Sequence, residues 1–292
     1  MTAAIYASRE GLDTLLLEKW LCGGLVAETT LVENYPGFPE GVNGRGLMEK
    51  FKEQAQKFGT QITEYNSVAE VEPLHKRLRV KTEKQEYYAR TLIVASGCVP
   101  KKLNIPGEDE FYGKGISYCA TCDGPLYRDK DVAVIGCGDS GLQEGESLLA
   151  HAKSVTFIEF LPYMNAQKIL QQRVTQSEKT SFLLNHAVTS INGNNVVSSV
   201  TAKDRETGEE KRLKVSGVFI YIGFLANSKF LQGTVELSGS GYIVSNEKME
   251  TSMPGIYAAG DVRSKEVRQI DVACAEGTVA AISASRYIKE TA

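Results

Sequence analysis

Asp131-Val-Ala-Val-Ile-Gly136-Cys-Gly138-Asp-Ser-Gly141 is the stretch that decides the fold. An aliphatic, β-branched run meets three glycines, and a helical stretch from Ser140 to His151 follows. The run reads as a buried parallel strand, and a glycine loop between a strand and a helix is the setting of a dinucleotide-binding fingerprint. Gly136 permits the tight turn, Gly138 lets the backbone approach a pyrophosphate, and Gly141 allows close helix packing, while the helix N-terminus favours the anion. Glu159 closes the next run, Ser154-Val-Thr-Phe-Ile-Glu159, at the place where a carboxylate accepts from a ribose hydroxyl. A Rossmann-like unit that keeps the shape without the ligand fits the same residues.

Outward from this stretch, Thr14-Leu-Leu-Leu-Glu18, Thr91-Leu-Ile-Val-Ala-Ser-Gly97 and Gly217-Val-Phe-Ile-Tyr-Ile-Gly223 also read as buried parallel strands. A helix over Gly46 to Phe58 completes an alternation that predicts an α/β protein of doubly wound, Rossmann-like domains. The polar segment from Gly193 to Glu210 predicts a hairpin turning near Glu206-Thr-Gly208. A chain of 292 residues exceeds the length at which one core stops growing, so two domains are expected. With 33 Lys and Arg against 36 Asp and Glu, the net charge of −3 offers no basic field for nucleic acid or an anionic membrane. No apolar run approaches the roughly 18 residues of a membrane span. Nothing at the N-terminus reads as a signal peptide, so a cytoplasmic protein is expected, with Cys22, Cys98, Cys137 and Cys274 reduced and serving as small packing residues.

The chemistry centres on Gly115-Ile-Ser-Tyr-Cys119-Ala-Thr-Cys122-Asp123-Gly-Pro. Two thiols on the first turn of a helix close and reopen a small disulfide ring by thiolate exchange, and a helix N-terminus lowers the thiol pKa. Asp123 stands ready to move the proton. Zinc would use the same spacing but needs four ligands, and the chain has no second Cys-x-x-Cys and no paired histidines, so no metal is expected. A structural disulfide suits secreted chains. The catalytic dithiol is the favoured reading of the three.

With the dithiol, the glycine loop and Gly255-Ile-Tyr-Ala-Ala-Gly260-Asp261 together, the chain resembles the low-molecular-weight thioredoxin reductases of bacteria and archaea over essentially its whole length. Ala3-Ala-Ile-Tyr-Ala-Ser-Arg9, Val32-Glu-Asn34-Tyr-Pro-Gly37, Arg268-Gln269 and Ala280-Ala281 also match in order. The resemblance implies a cytoplasmic homodimeric flavoprotein that reduces thioredoxin or a glutaredoxin-like protein. Its FAD domain would be split over 1–100 and 229–292, with a NAD(P)-like dithiol domain, 101–228, inserted. Cys122 would face the flavin, Cys119 would attack the partner disulfide, and Asp123 would handle the proton. Glu18, Gly23, Gly24, Asn34, Gly97, Gly260, Asp261, Arg268 and Gln269 would surround FAD, and Gly136, Gly138, Gly141 and Glu159 the donor. Turn and cap roles are the plainer alternative for each. A flavoprotein feeding a peroxiredoxin and a non-enzymatic paralogue that binds thiol proteins are the alternative functions.

Two departures matter. The family opens with a strand and a Gly-x-Gly-x-x-Gly loop for the FAD pyrophosphate, whereas Met1-Thr-Ala-Ala already matches the following helix. A start downstream of the true one is expected over a version that cannot hold flavin tightly, because an apo protein would have no reason to keep every other FAD motif. NADPH-using members carry an arginine cluster where this chain reads Glu159-Phe-Leu-Pro-Tyr-Met-Asn165, without a positive charge. Asp139 adds a carboxylate beside the pyrophosphate position. NADH, a reduced deazaflavin or ferredoxin is therefore expected over NADPH as donor. Archaeal and anaerobe members lacking the cluster are closer, including at Gly24-Leu-Val-Ala-Glu28.

Overall fold

The computed structural model describes residues 1–29 and 31–291. The chain forms two compact units, one of residues 1–99 and 225–292, the other of residues 100–224.

In the second unit five parallel strands run in the order Thr180–Leu183, Ser154–Ile158, Asp131–Ile135, Gly217–Ile220, Ile116–Ser117. Asp131–Ile135 lies at the centre, and side-chain alternation sends Val132 and Val134 to one face, Ala133 and Ile135 to the other. The first face packs against Leu142 and Leu148 of the helix Asp139–Leu149 and Leu170 and Val174 of Lys168–Thr175. The second packs against Ile191, Val200 and Ala202 of an antiparallel meander, His186–Gly193, Val197–Asp204 and Glu210–Lys214. The hairpin expected over 193–210 is thus part of a layer that covers a whole sheet face. Its distal turn falls at Arg205 to Glu209, where Asp204 Oδ1 accepts from Glu206 N and Thr207 N at 2.8 and 3.0 Å.

The first unit builds its parallel strands in two separate pairs, Leu15–Leu17 with Gln61–Thr63 and Leu92–Val94 with Ile256–Ala258. Among the described residues no further strand joins the pairs. The run at Thr14 to Glu18, expected to be buried, is a three-residue strand whose Leu15 is 38 % exposed, because it has a neighbour on one side only. An antiparallel sheet, Val68–Pro73, Leu78–Thr82 and Glu86–Ala89, stands beside them. The helix expected from Gly46 begins at Gly44, because Asn43 caps it by accepting from Gly46 N at 3.1 Å. The C-terminal helix Ile270–Glu290 packs on Thr2–Arg9, and at Gly277 an added Cβ would lie 3.0 Å from Ala3 N.

Gly145, inside the helix Asp139–Leu149, tests how tightly the second unit is packed. A helix glycine normally gains about 1 kcal/mol on replacement by alanine. Here the new Cβ would stand 2.4 Å from Phe157 Cε1, and Phe157 is fully buried. Overpacking wins, so Gly145→Ala should cost about 1–3 kcal/mol. Thermal denaturation reads this as a lowered Tm, and a raised Tm would show that the Phe157 ring yields freely.

Candidate active site

Cys119 and Cys122 form a disulfide with their Cα atoms 5.4 Å apart, at the start of the four-residue helix Ala120–Asp123. The preceding strand Ile116–Ser117 delivers Cys119, whose backbone is held at both ends by one buried hydroxyl: Cys119 N donates to Ser117 Oγ at 3.0 Å, and Ser117 Oγ donates to Cys119 O at 3.2 Å. Tyr221 adds a third hold, its hydroxyl accepting from Ala120 N at 2.9 Å. Cys122 N points at Cys119 Sγ, 3.2 Å away. In the dithiol form that N–H favours the Cys119 thiolate and suits Cys119 as the attacking sulfur. Cys122 is exposed and Cys119 half-buried. Asp123 follows on the same turn, and its charge adds to burial in pushing up the Tyr127 hydroxyl.

Behind the dithiol lies the glycine loop. Gly136 has φ +105°, and a Cβ there would stand 2.1 Å from Tyr221 O; at Gly141 it would stand 2.0 Å from Gly136 O. Both glycines are required by the fold itself. Gly138 is different: a Cβ there would meet nothing within 4 Å. Local packing does not explain that glycine, whereas the approach of a pyrophosphate would. Glu159 is buried and turned inward, accepting from Cys137 N at 2.5 Å and Leu161 N at 2.9 Å, so its carboxylate braces the loop. Asp139 is engaged sideways by Gln167, through the backbone N at 2.7 Å and Nε2 at 2.9 Å.

In the first unit two residues far apart in sequence meet, Asn34 Nδ2 donating to Gln269 Oε1 at 2.9 Å. Nearby in sequence, Arg268 lies 4.3 Å from the Tyr242 ring centroid with Nε buried and without a hydrogen-bond partner. Asp261 Oδ1 is likewise buried without a hydrogen bond, its nearest cation Lys265 Nζ at 3.4 Å. Cys98 donates to Asp261 O at 3.0 Å, and burial with the Asp261 charge pushes its thiol up. Gly97 and Gly260 take φ of +63° and +77°, and at Gly97 a Cβ would meet nothing within 4 Å. A buried carboxylate oxygen, a buried guanidinium N–H and an open glycine are what the ribityl and ring portions of a flavin would satisfy, so these residues fit FAD. Glu18 accepts from Trp20 N at 2.9 Å, while Gly23 and Gly24 take φ of +137° and +55° at the entry to the helix Gly24–Glu28. Among the described residues no hydrogen bond ties Glu18 or that turn to the Asn34–Gln269 pair.

Three residues were missed in the sequence. Glu276, inside the last helix, is buried and accepts from Gly260 N at 2.7 Å, Arg263 Nη1 at 2.6 Å and Lys265 Nζ at 3.1 Å, anchoring the Gly260-Asp261 turn. A carboxylate amid the small residues of Ala273-Cys-Ala-Glu276-Gly was the available signal. Tyr221, at the end of a hydrophobic run, gave none. Arg205 comes from the hairpin turn and stacks on Phe160, 3.6 Å from the ring centroid, donating from Nη1 to Phe160 O at 2.9 Å and to Asn185 Oδ1 at 3.3 Å. A positive charge thus stands beside the Glu159 segment that carries none of its own.

A profile of the family described as pyridine nucleotide-disulphide oxidoreductase matches residues 1–277. Thioredoxin reductase of Bacillus subtilis is 44 % identical over 291 residues, spanning 99 % of this chain and 92 % of that protein. Among solved structures, Lactococcus lactis thioredoxin reductase in its FR conformation is 36 % identical with a TM-score of 0.97, covering 99 % of this chain and 95 % of the other. T. acidophilum thioredoxin reductase is 38 % identical with a TM-score of 0.94, covering 100 % and 95 %.

Cys137 offers a check on the loop. Burial, reinforced by the Glu159 charge, pushes its thiol up to about 12. A raised folded value means a protonated thiol at pH 8, and a stability contribution that fades as pH rises above the unfolded value of about 8.5. Iodoacetamide at pH 8 should therefore leave Cys137 unlabelled in the native protein and label it in denaturant, as peptide mass mapping would read. Native labelling at the rate of an exposed thiol would mean that the loop opens.

Proposed function

We propose, for a chain that belongs to the pyridine nucleotide-disulphide oxidoreductase family and within it to the low-molecular-weight thioredoxin reductases, that Cys119 and Cys122 are the working centre of an FAD-dependent reductase of thioredoxin or a glutaredoxin-like protein. The carrying observation is the disulfide itself, formed on a helix start with one sulfur exposed and the other facing a backbone N–H. In the dithiol form, the Cys119 thiolate attacks the partner disulfide, a Cys119–partner bond forms, and the partner's second sulfur leaves as a thiolate. Cys122 thiolate then attacks Cys119 Sγ, closes the Cys119–Cys122 bond and releases the partner's other sulfur. The partner gains two electrons and two protons, and Asp123 moves a proton at this turn.

Glu18, Gly23, Gly24, Asn34, Gly97, Gly260, Asp261, Arg268 and Gln269 would hold FAD. Bound flavin supplies the two-electron reduction that returns the disulfide to the dithiol. Glu276 keeps the Gly260 turn in shape for it by holding the Gly260 N–H and the Arg263 guanidinium. Family membership also supports a homodimer and a cytoplasmic setting.

For the donor, Gly136, Gly138 and Gly141 would receive a pyrophosphate with Glu159 on the ribose side, and a donor without a 2′-phosphate is favoured: NADH, reduced deazaflavin or ferredoxin. Arg205, the cation the fold brings alongside, is committed to Phe160 and Asn185. Losing charge-assisted phosphate contacts costs about 2–5 kcal/mol, one to several powers of ten in affinity.

Replacing Cys119 with serine should lower thioredoxin reduction by about three orders of magnitude while flavin reduction persists, since the two thiols act as a unit toward the partner. Cys122→Ser should stop electron exit from the flavin. Thioredoxin turnover at the wild-type rate in either variant removes the dithiol from the mechanism. For donor choice, anaerobic stopped-flow should show slow flavin bleaching by NADPH, at most weak bleaching by NADH and fast bleaching by a low-potential donor. Efficient bleaching at micromolar NADPH would overturn the reading of Glu159 and assign the 2′-phosphate to Arg205.

A further inference from the structure

Tyr221 joins the glycine loop to the dithiol turn through five separate points. Its backbone N–H donates to Ile135 O at 2.8 Å, at the last residue of the central strand. The Tyr221 carbonyl occupies the space that a Cβ on Gly136 would need, and its own Cβ lies 3.6 Å from where one on Gly141 would be. The half-buried ring packs against the core that contains Ala120, Leu142 and Leu148. Its hydroxyl accepts from the Ala120 N–H, at a residue only 2 % exposed.

That amide is the first of the dithiol helix and has no partner within it, because a helix leaves its leading N–H groups unbonded. Cys119 Sγ takes the Cys122 N–H. Without the phenol, the buried Ala120 N–H would lose the partner found here, and an unpaired buried amide is costly. The bond therefore fixes the start of the turn on which both sulfurs ride. The turn in turn rests on a side chain whose backbone is wedged by Gly136 and Gly141.

We propose that Tyr221 is a positioning residue for the redox pair: its hydroxyl holds the dithiol turn in the geometry that keeps Cys119 and Cys122 within bridging range, and so favours the disulfide. The proposal rests on the dithiol reading above. It assigns Tyr221 no contact with the partner protein.

Tyr221→Phe keeps the ring and its packing and removes the hydroxyl, and with it the acceptor of the Ala120 N–H. The full-length protein is equilibrated in glutathione redox buffers, quenched by alkylation, and the oxidised fraction of the 119–122 pair is read by mass. The disulfide of the variant should be about three- to tenfold easier to reduce, the range that one hydrogen bond spans. Tyr112→Phe, which removes an exposed hydroxyl from the same unit, should keep the wild-type equilibrium. A Tyr221→Phe equilibrium equal to the wild type overturns the proposal while leaving the dithiol reading intact. A wild-type pair that glutathione cannot cycle sinks both. Amide hydrogen exchange gives a second measure that does not depend on the variant folding: in the wild-type protein the Ala120 amide should stay protected in both redox states. Exchange at the unprotected rate would show that the bond does not persist and would overturn the proposal.

Discussion

The dithiol unit depends on the close approach of backbone to backbone at two adjoining glycines. The Tyr221 carbonyl lies where any side chain on Gly136 would have to be, and the Gly136 carbonyl lies where any side chain on Gly141 would have to be. These two contacts bring the end of Gly217–Ile220, the turn after Asp131–Ile135 and the start of Asp139–Leu149 together, tying the sheet to the helix that covers it. Because Ile135 O accepts from Tyr221 N and Glu159 accepts from Cys137 N, the loop is held from both neighbouring strands. A loop held this way carries its open face at Gly138 without relying on a ligand to shape it. The dithiol turn inherits that stiffness through the Tyr221 hydroxyl.

The first unit uses charge for the same purpose. Glu276 is buried with Arg263 and Lys265 as counter-ions, and its oxygens also receive the Gly260 N–H. Burying these charges would be expensive unless each were paired and hydrogen-bonded, and here the pairing is what fixes a turn. Next to this satisfied knot, Asp261 Oδ1 and Arg268 Nε are buried without hydrogen bonds. The contrast between a saturated support and an unsaturated face is what the proposed flavin site would call for.

Charge also shows how a local reading and a tertiary one diverge. The segment Glu159 to Asn165 has no cation, yet the guanidinium of Arg205 lies over the Phe160 ring. It arrives because Arg205 N donates to Asn185 O and Asn185 N to Leu161 O, which stitch the hairpin turn to the loop. Glu159 itself, a carboxylate in the right place for a ribose, spends its oxygens on two backbone amides.

The sequence by itself determined the elements. The aliphatic run and glycines at 131–141 specify strand, turn and helix because a parallel strand buried on both faces needs an unbroken apolar run and a tight turn needs glycine. The Cys-x-x-Cys spacing was enough to put both sulfurs on one turn, since four residues set their separation. What tertiary structure decided is whatever depends on residues distant in the chain. Asn34 meets Gln269, Tyr221 meets Ala120, Glu276 meets Gly260, and Arg205 meets Phe160, each across a gap whose closure is set by how layers stack. Local periodicity carries no record of such distances. It also misjudged the strand at Leu15–Leu17, because an apolar run looks the same whether one neighbour or two will cover it.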